Sequence, residues 1–369
     1  MPIRKREWTA PDGTVKTAWQ VNYTDQAGKR RAKQFTKKKE ADAWAITAAA
    51  EVQRGVHTAD SASITVAKAA ERWLDAVRAN KREPTTIAAY DQHVRLHIVP
   101  KCGTRRLSQL TAPEVKRFLD EWLVELSRPM AIRVLRSLKA IITEAQTAGL
   151  VAQNVALAVK PRKVKRDKAK VTPPPKQALR AILAAAAKGE DAMGRAAVEL
   201  ATFTGLRASE LRGLSWRSVD LKRARVTVEQ RADAAGVIGP PKSEAGHRTI
   251  SLPARVVTVL KLWKLKCKPG AMDLVFPSTR GKPISHRVLT VNHVEPIMAA
   301  AKVEKFGLHA FRHAAASLWI EQGLTAKRVQ MLMGHSSITM TFDTYGHLFD
   351  QAQKDDDDAA AIERALFST

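Results

Sequence analysis

The chain has 369 residues, room for two or three domains of ordinary size, and 45% of them are hydrophobic, enough for real cores. Its 62 Lys and Arg outweigh 36 Asp and Glu, and the formal charge of +26 argues against an enzyme of small metabolites and for a polyanionic partner, most commonly nucleic acid. Cys102 and Cys267 stand far apart without C-x-x-C spacing, Met1 to Arg6 is charged rather than apolar, and no stretch is long enough to span a bilayer, so a cytoplasmic protein without structural zinc or membrane partner is expected.

Residues 1–58 read as three short strands and a helix. Trp19, Val21 and Tyr23 alternate with Gln20, Asn22 and Thr24, the period of a sheet with one polar face. Pro11-Asp12-Gly13 and Gln26-Ala27-Gly28 supply turns, and Arg30, Arg31 and Lys33 fall on or beside the third strand. Thr36 is placed to cap a helix whose stripe of Ala41, Trp44, Ala45, Ala48 and Val52 packs on the apolar face. The free, basic face has two readings, a solvated surface or a DNA-binding one that enters a major groove.

From 64 to 158 the pattern is wholly helical. Val66, Ala70, Trp73, Leu74 and Val77 make one buried stripe, and a second helix starts near Pro84-Thr85. Thr111-Ala112-Pro113-Glu114 is a capping box opening a third helix, which buries Val115, Phe118, Leu119 and Trp122. A fourth carries Val134, Leu138, Ile141, Ile142 and Ala145, completing a compact bundle whose stripes are core rather than a cofactor box. Residues 159–171 form a basic linker with Lys160, Arg162, Lys163, Lys165 and Arg166, a run that is either solvated or laid along phosphates as DNA-binding residues.

The last region, 172–369, holds four separated segments suited to phosphoryl transfer. In Thr204-Gly205-Leu206-Arg207-Ala208-Ser209-Glu210-Leu211, Gly205 fits the end of one helix, Arg207 opens the next, and Glu210 falls on the same helical face, where it either orients Arg207 or a neighbour or makes a surface salt bridge. Lys242 rides a hairpin loop between the strand-like Arg225 to Val228 and the alternating run to Leu252, where it is either a proton donor or solvated. His309 and His313 lie one helical turn apart, but Ala310 follows the first where a metalloprotease has glutamate, and Arg312 crowds the turn, so no metal is expected and His313 reads as a buried donor holding backbone. The fourth segment runs from Met333-Gly334-His335-Ser336 to Tyr345-Gly346-His347-Leu348.

Together these segments resemble the tyrosine recombinase family of phage integrases. Its pattern is T-G-x-R-x-x-E-L, a loop lysine, H-x-x-R-H, then G-H-S and a tyrosine about ten residues on, and every element stands here in that order. The resemblance implies a multidomain, mainly α fold. The sheet with its helix would be an arm-site domain, the bundle a core-site domain, and 172–369 a mixed α+β catalytic domain with a C-terminal tail.

The resemblance also implies a site-specific recombinase without cofactor. Tyr345 would attack phosphorus to give a 3′-phosphotyrosyl link, Arg207 and Arg312 would grip nonbridging oxygens, and His309 and His335 would donate to them. Lys242 would protonate the leaving 5′ oxygen, with Glu210 and His313 behind. The implied partners are double-stranded DNA at core and arm sites, three further copies in a tetramer, a host DNA-bending protein and an excisionase, all in a bacterial cytoplasm. The acidic run Asp355 to Asp358 reads as a solvated face or a contact with a basic neighbour. A type IB topoisomerase would share the catalytic set but not a separate arm-site domain; a DNA-binding regulator would explain the charge but not the set.

Overall fold

The computed structural model describes residues 1–25, 28–80, 82–162, 172–268 and 270–352. Of the basic linker, Lys160 and Arg162 are exposed, whereas Lys163, Lys165 and Arg166 lie outside the described residues, as do Gln26, Ala27 and the acidic run Asp355 to Asp358. The chain divides into two compact units, Met1–Val164 and Lys165–Thr369. No helix among the described residues is long and apolar enough to cross a membrane.

The first unit opens with strands β1 (Ile3–Thr9), β2 (Val15–Thr24) and β3 (Arg30–Phe35), antiparallel in that order, followed by helix α1 (Lys38–Gln53). Val21, Ala41 and Ala45 form a small core with Ile3, Trp19, Phe35 and Trp44 packed around it. Thr36 does not cap α1. The helix starts after Lys37, which gives no side-chain cap, and Thr36 lies one residue too early for its hydroxyl to sit at the capping position.

The register decides which side the basic residues of β3 occupy. Val21 pairs with Lys33 and Tyr23 with Arg31, and paired residues share a face, so Arg31 and Lys33 lie on the side covered by α1. There Lys33 Nζ sits 4.9 Å from the Trp44 ring centre and 2.9 Å from the Asp60 carboxylate, and Arg31 donates to Asp25 at 2.9 Å. The open face instead carries Arg4, Arg6 and Arg30 with Gln20 and Asn22.

A bundle completes the unit, built from α2 (Val66–Ala79), α3 (Pro84–His93), α4 (Ala112–Glu125) and α5 (Arg128–Thr147). The predicted stripes are its core, with Val66, Leu119, Trp122, Leu138 and Ile141 fully buried. Both bonds of the Thr111/Glu114 capping box form. Helix α3 runs on through a π-helical turn, Val94–Ile98, into Val99–Cys102; Pro100, which has no N–H to give, follows that widened ladder directly.

The second unit begins with α6 (Lys176–Lys188), α7 (Ala192–Thr204) and α8 (Ala208–Gly213). Next come β4 (Val219–Asp220), β5 (Arg225–Val228), the hairpin of β6 (Arg231–Ala232) and β7 (Ile238–Gly239), and β8 (Arg248–Ser251), which joins β4 and β5 in one antiparallel sheet. Helices α9 (Ala254–Lys266), α10 (286–300), α11 (Leu308–Glu321), α12 (Ala326–Met333) and α13 (Ile338–Ala352) follow. Helix α7 is the axis of this mixed α+β unit: Ala196 to Ala201 are all buried, including Glu199, whose charge is met by Arg255 at 2.7 Å.

Candidate active site

Two helices end in left-handed glycines, and the site is built between those ends. Gly205 terminates α7 at φ 59° and Gly334 terminates α12 at φ 62°, a conformation in which a Cβ is strained. The glycines also permit close approach. A Cβ at 205 would lie 3.2 Å from Ala315 of α11, and one at 334 would lie 2.9 Å from both the Ala245 carbonyl and Arg248.

The last carbonyls of α12 are then shared among three arginines. Arg248 donates through Nε to Leu332 at 2.7 Å, Arg312 through Nη2 to Met333, and Arg207 through Nη2 to Gly334 at 2.9 Å. Arg312 also donates to the Gly205 carbonyl at 2.6 Å, so it ties the two helix ends together. A helix C-terminus carries partial negative charge, which favours guanidinium groups there. The single carboxylate among them is Glu210, 2.7 Å from Arg207 and 2.7 Å from Arg248. Burial pushes its carboxyl up, but Arg248 and then Arg207 outweigh that and hold it at about 2. Three guanidinium groups face one carboxylate, an excess of positive charge that suits a phosphate.

Against this cluster stand three imidazoles and a phenol. The Tyr345 side chain is 1% exposed, packed among Ala316, Ile320, Val329 and Met333, and its hydroxyl is 2.8 Å from His313 Nδ1. Burial raises its pKa to about 12, against the lowering pull of Arg312 and Arg207. The buried His335 lies parallel to the Tyr345 ring and is 2.9 Å from the Thr341 hydroxyl through Nδ1. Burial, and then Arg312, hold it down to about 4. His313 is likewise held to about 4 by burial, His309 and Arg312, and the partly desolvated His309 is shifted down as well. All three rings are therefore neutral at pH 7, each with one N–H to donate and one nitrogen to accept.

A buried tyrosine beside paired arginines and neutral histidines matches known proteins along both units. Residues 175–352 match the phage integrase family, and residues 65–123 match the phage integrase N-terminal SAM-like domain. The chain belongs to the tyrosine recombinase, or phage integrase, family. It is accordingly a tyrosine site-specific recombinase. A XerC-like tyrosine recombinase of Caldanaerobacter subterraneus is 25% identical over 356 residues, covering 88% of this chain and 90% of that one. The integrase of transposon Tn1549, solved with a circular intermediate DNA, shares the fold with a TM-score of 0.69 at 20% identity, over 82% of this chain and 100% of that one. A lambda integrase tetramer bound to a Holliday junction gives 0.58 at 20% identity, over 90% and 96%.

The recombinase fold gathers Arg207, Glu210, His309, Arg312, His313, His335 and Tyr345 into one region of the second unit. Lys242 stands apart, exposed on the loop between β7 and β8, although the end of that loop packs on the Gly334 turn. His313 differs from its expected part: it is half-buried and bonds the Tyr345 hydroxyl, not backbone, because its position on α11 faces α13. Sequence reasoning missed Arg248 and Thr341. A signal existed for Arg248, since it shares the inward phase of Ile250 and Leu252 on an alternating strand, where a charge needs a partner. Thr341 carried none.

Proposed function

We propose that this recombinase integrates or excises a phage or other mobile element through a 3′-phosphotyrosyl intermediate on Tyr345. The observation that carries this reading is the Tyr345 hydroxyl, 2.8 Å from His313 and set beside the arginine cluster. Arg207 and Arg312 each keep N–H groups beyond those given to carbonyls, and these hold the nonbridging oxygens of the scissile phosphate. A Thr341 hydroxyl that donates to His335 Nδ1 leaves the proton on Nε2, making His335 a donor to the same phosphate, with His309 beside it. The phenol oxygen forms the new bond to phosphorus as the bond to the 5′ oxygen breaks. The phenol proton passes to His313, and Lys242 protonates the leaving oxygen. Because the phosphodiester energy stays in the tyrosyl link, a different 5′ hydroxyl reverses the step.

In the free protein that proton is held far more tightly by Tyr345 than His313 can take it. Transfer therefore accompanies the attack on phosphorus rather than preceding it, and the protonated imidazole that results is favoured by the negative phosphate beside it. The partner is double-stranded DNA, bound as a tetramer by the bundle and catalytic unit at core sites. The open face of the sheet, with Arg4, Arg6 and Arg30, reads arm sites. A host DNA-bending protein and an excisionase supply bending and direction, in the bacterial cytoplasm. The likeness of fold to the lambda and Tn1549 integrases supports the mobile-element reading.

The test uses a nicked duplex carrying the junction sequence that flanks the coding element in its host. Denaturing electrophoresis should show a covalent protein–DNA band for the parent and none for Tyr345→Phe, with DNA binding retained by both. An equal band from the variant would remove Tyr345 from its role.

A further inference from the structure

Arg248 has no part in the reading above, yet it is among the most heavily bonded side chains of the second unit. It stands at the start of β8, where the lysine loop ends, and its side chain is only 5% exposed. Its Nη1 and Nη2 donate to the two oxygens of Glu210 at 3.1 and 2.7 Å, its Nε donates to Leu332 at 2.7 Å, and Nη1 also reaches the Gly246 carbonyl at 3.0 Å. Glu210 in turn accepts the Arg207 backbone amide at 2.8 Å and the Arg207 Nη1 at 2.7 Å. One carboxylate thus lies between two arginines, one aimed at the proposed phosphate and the other rooted in the lysine loop.

We propose that Arg248 is a positioning residue: it fixes the Glu210 carboxylate, and through it the Arg207 guanidinium. The geometry favours this over simple support of the fold. Without Arg248, Glu210 is held only from within its own turn, by the backbone amide and guanidinium of Arg207 at the N-cap of α8. Bonds from β8 and to α12 fix it from two other elements. Arg207 then meets a phosphate with its fork already oriented, and loss of such orientation slows chemistry far more than it weakens binding.

The inference rests on the active-site reading above, and the test separates the two. Arg248→Met, Arg248→Lys, Glu210→Gln and Glu210→Gln/Arg248→Met are compared with the parent on the nicked junction duplex. Affinity, the single-turnover cleavage rate at saturating protein and the melting temperature are measured. Arg248→Met should bind within about threefold of the parent and cleave on the order of 100-fold more slowly. Arg248→Lys, which keeps the charge but not the fork, should recover only part of that rate. The double variant removes both buried charges, so it should melt nearer the parent than Arg248→Met, yet cleave no faster than Glu210→Gln alone, to within about threefold.

Cleavage that recovers together with melting temperature would reduce Arg248 to a support of the fold. If Arg248→Met does not fold, the comparison of the double variant with Glu210→Gln decides, and a double variant more than about threefold slower than Glu210→Gln overturns the proposal. If the parent itself forms no covalent band, the active-site reading fails instead.

Discussion

His335 and His313 show how strongly one residue's surroundings tie the site's chemistry to pH. Each is held down to about 4 in the fold, whereas an unfolded histidine titrates near 6.5. The folded pKa is depressed, so as pH falls the unfolded chain binds these protons first. The stabilisation is fully present above pH 6.5 and is lost as pH drops through about 4. For the buried His335 alone the loss is on the order of 1–3 kcal/mol, from the free energy of about 1.4 kcal/mol per pKa unit. Calorimetry of the full chain should show the second unit melting at a near-constant temperature from pH 8 to 7 and progressively lower below 6.5, with a flatter profile in His335→Gln. Parallel profiles for parent and variant would remove His335 as a source of that dependence.

At the scale of elements, the loop between β7 and β8 divides into a free part bearing Lys242 and a seated part from Ala245 to Arg248. The seated end keeps the lysine within a short tether of the site while leaving its ammonium exposed to accept a position from DNA. As a proton donor Lys242 matters only while the leaving group is an alkoxide; a thiol, with a pKa near ~8.5, departs without help. Lys242→Ala should therefore cleave ordinary DNA about 100-fold more slowly or worse. It should cleave a duplex with sulfur at the scissile 5′ bridging position at nearly the parent's rate. Failure of sulfur to rescue the variant would make Lys242 a phosphate contact instead.

The same elements show what a sequence can disclose. The bundle's stripes, the Thr111/Glu114 box and the glycine ends at 205 and 334 are local patterns, readable because their causes lie within a few residues. The candidate residues were legible for another reason, the ordered family motif. The facing of Arg31 and Lys33 was not, since it depends on a register set by strand pairing. Nor was the link of Arg248 to Glu210, whose partners are 38 residues apart and meet only when β8 crosses α8 and α12.

The whole molecule couples a sheet with an arginine-bearing open face to a bundle and a catalytic unit, under a net charge of +26. Binding should weaken steeply with salt, because each neutralised phosphate releases counterions. Removal of residues 1–58 should spare formation of the covalent band on a core-site duplex while shrinking the footprint on longer DNA and impairing integration. The sheet and α1 have a small core of their own, separate from that of the bundle. Identical footprints for the full and shortened chains would end the arm-site reading.

The burial of Tyr345 has a consequence for how this protein meets DNA. A chain of net charge +26 is drawn to DNA of any sequence it meets. Burial, which raises the phenol pKa to about 12, keeps that oxygen protonated at pH 7. Contact with DNA and reaction with it are thereby kept apart, because a packed and protonated phenol does not react on mere approach.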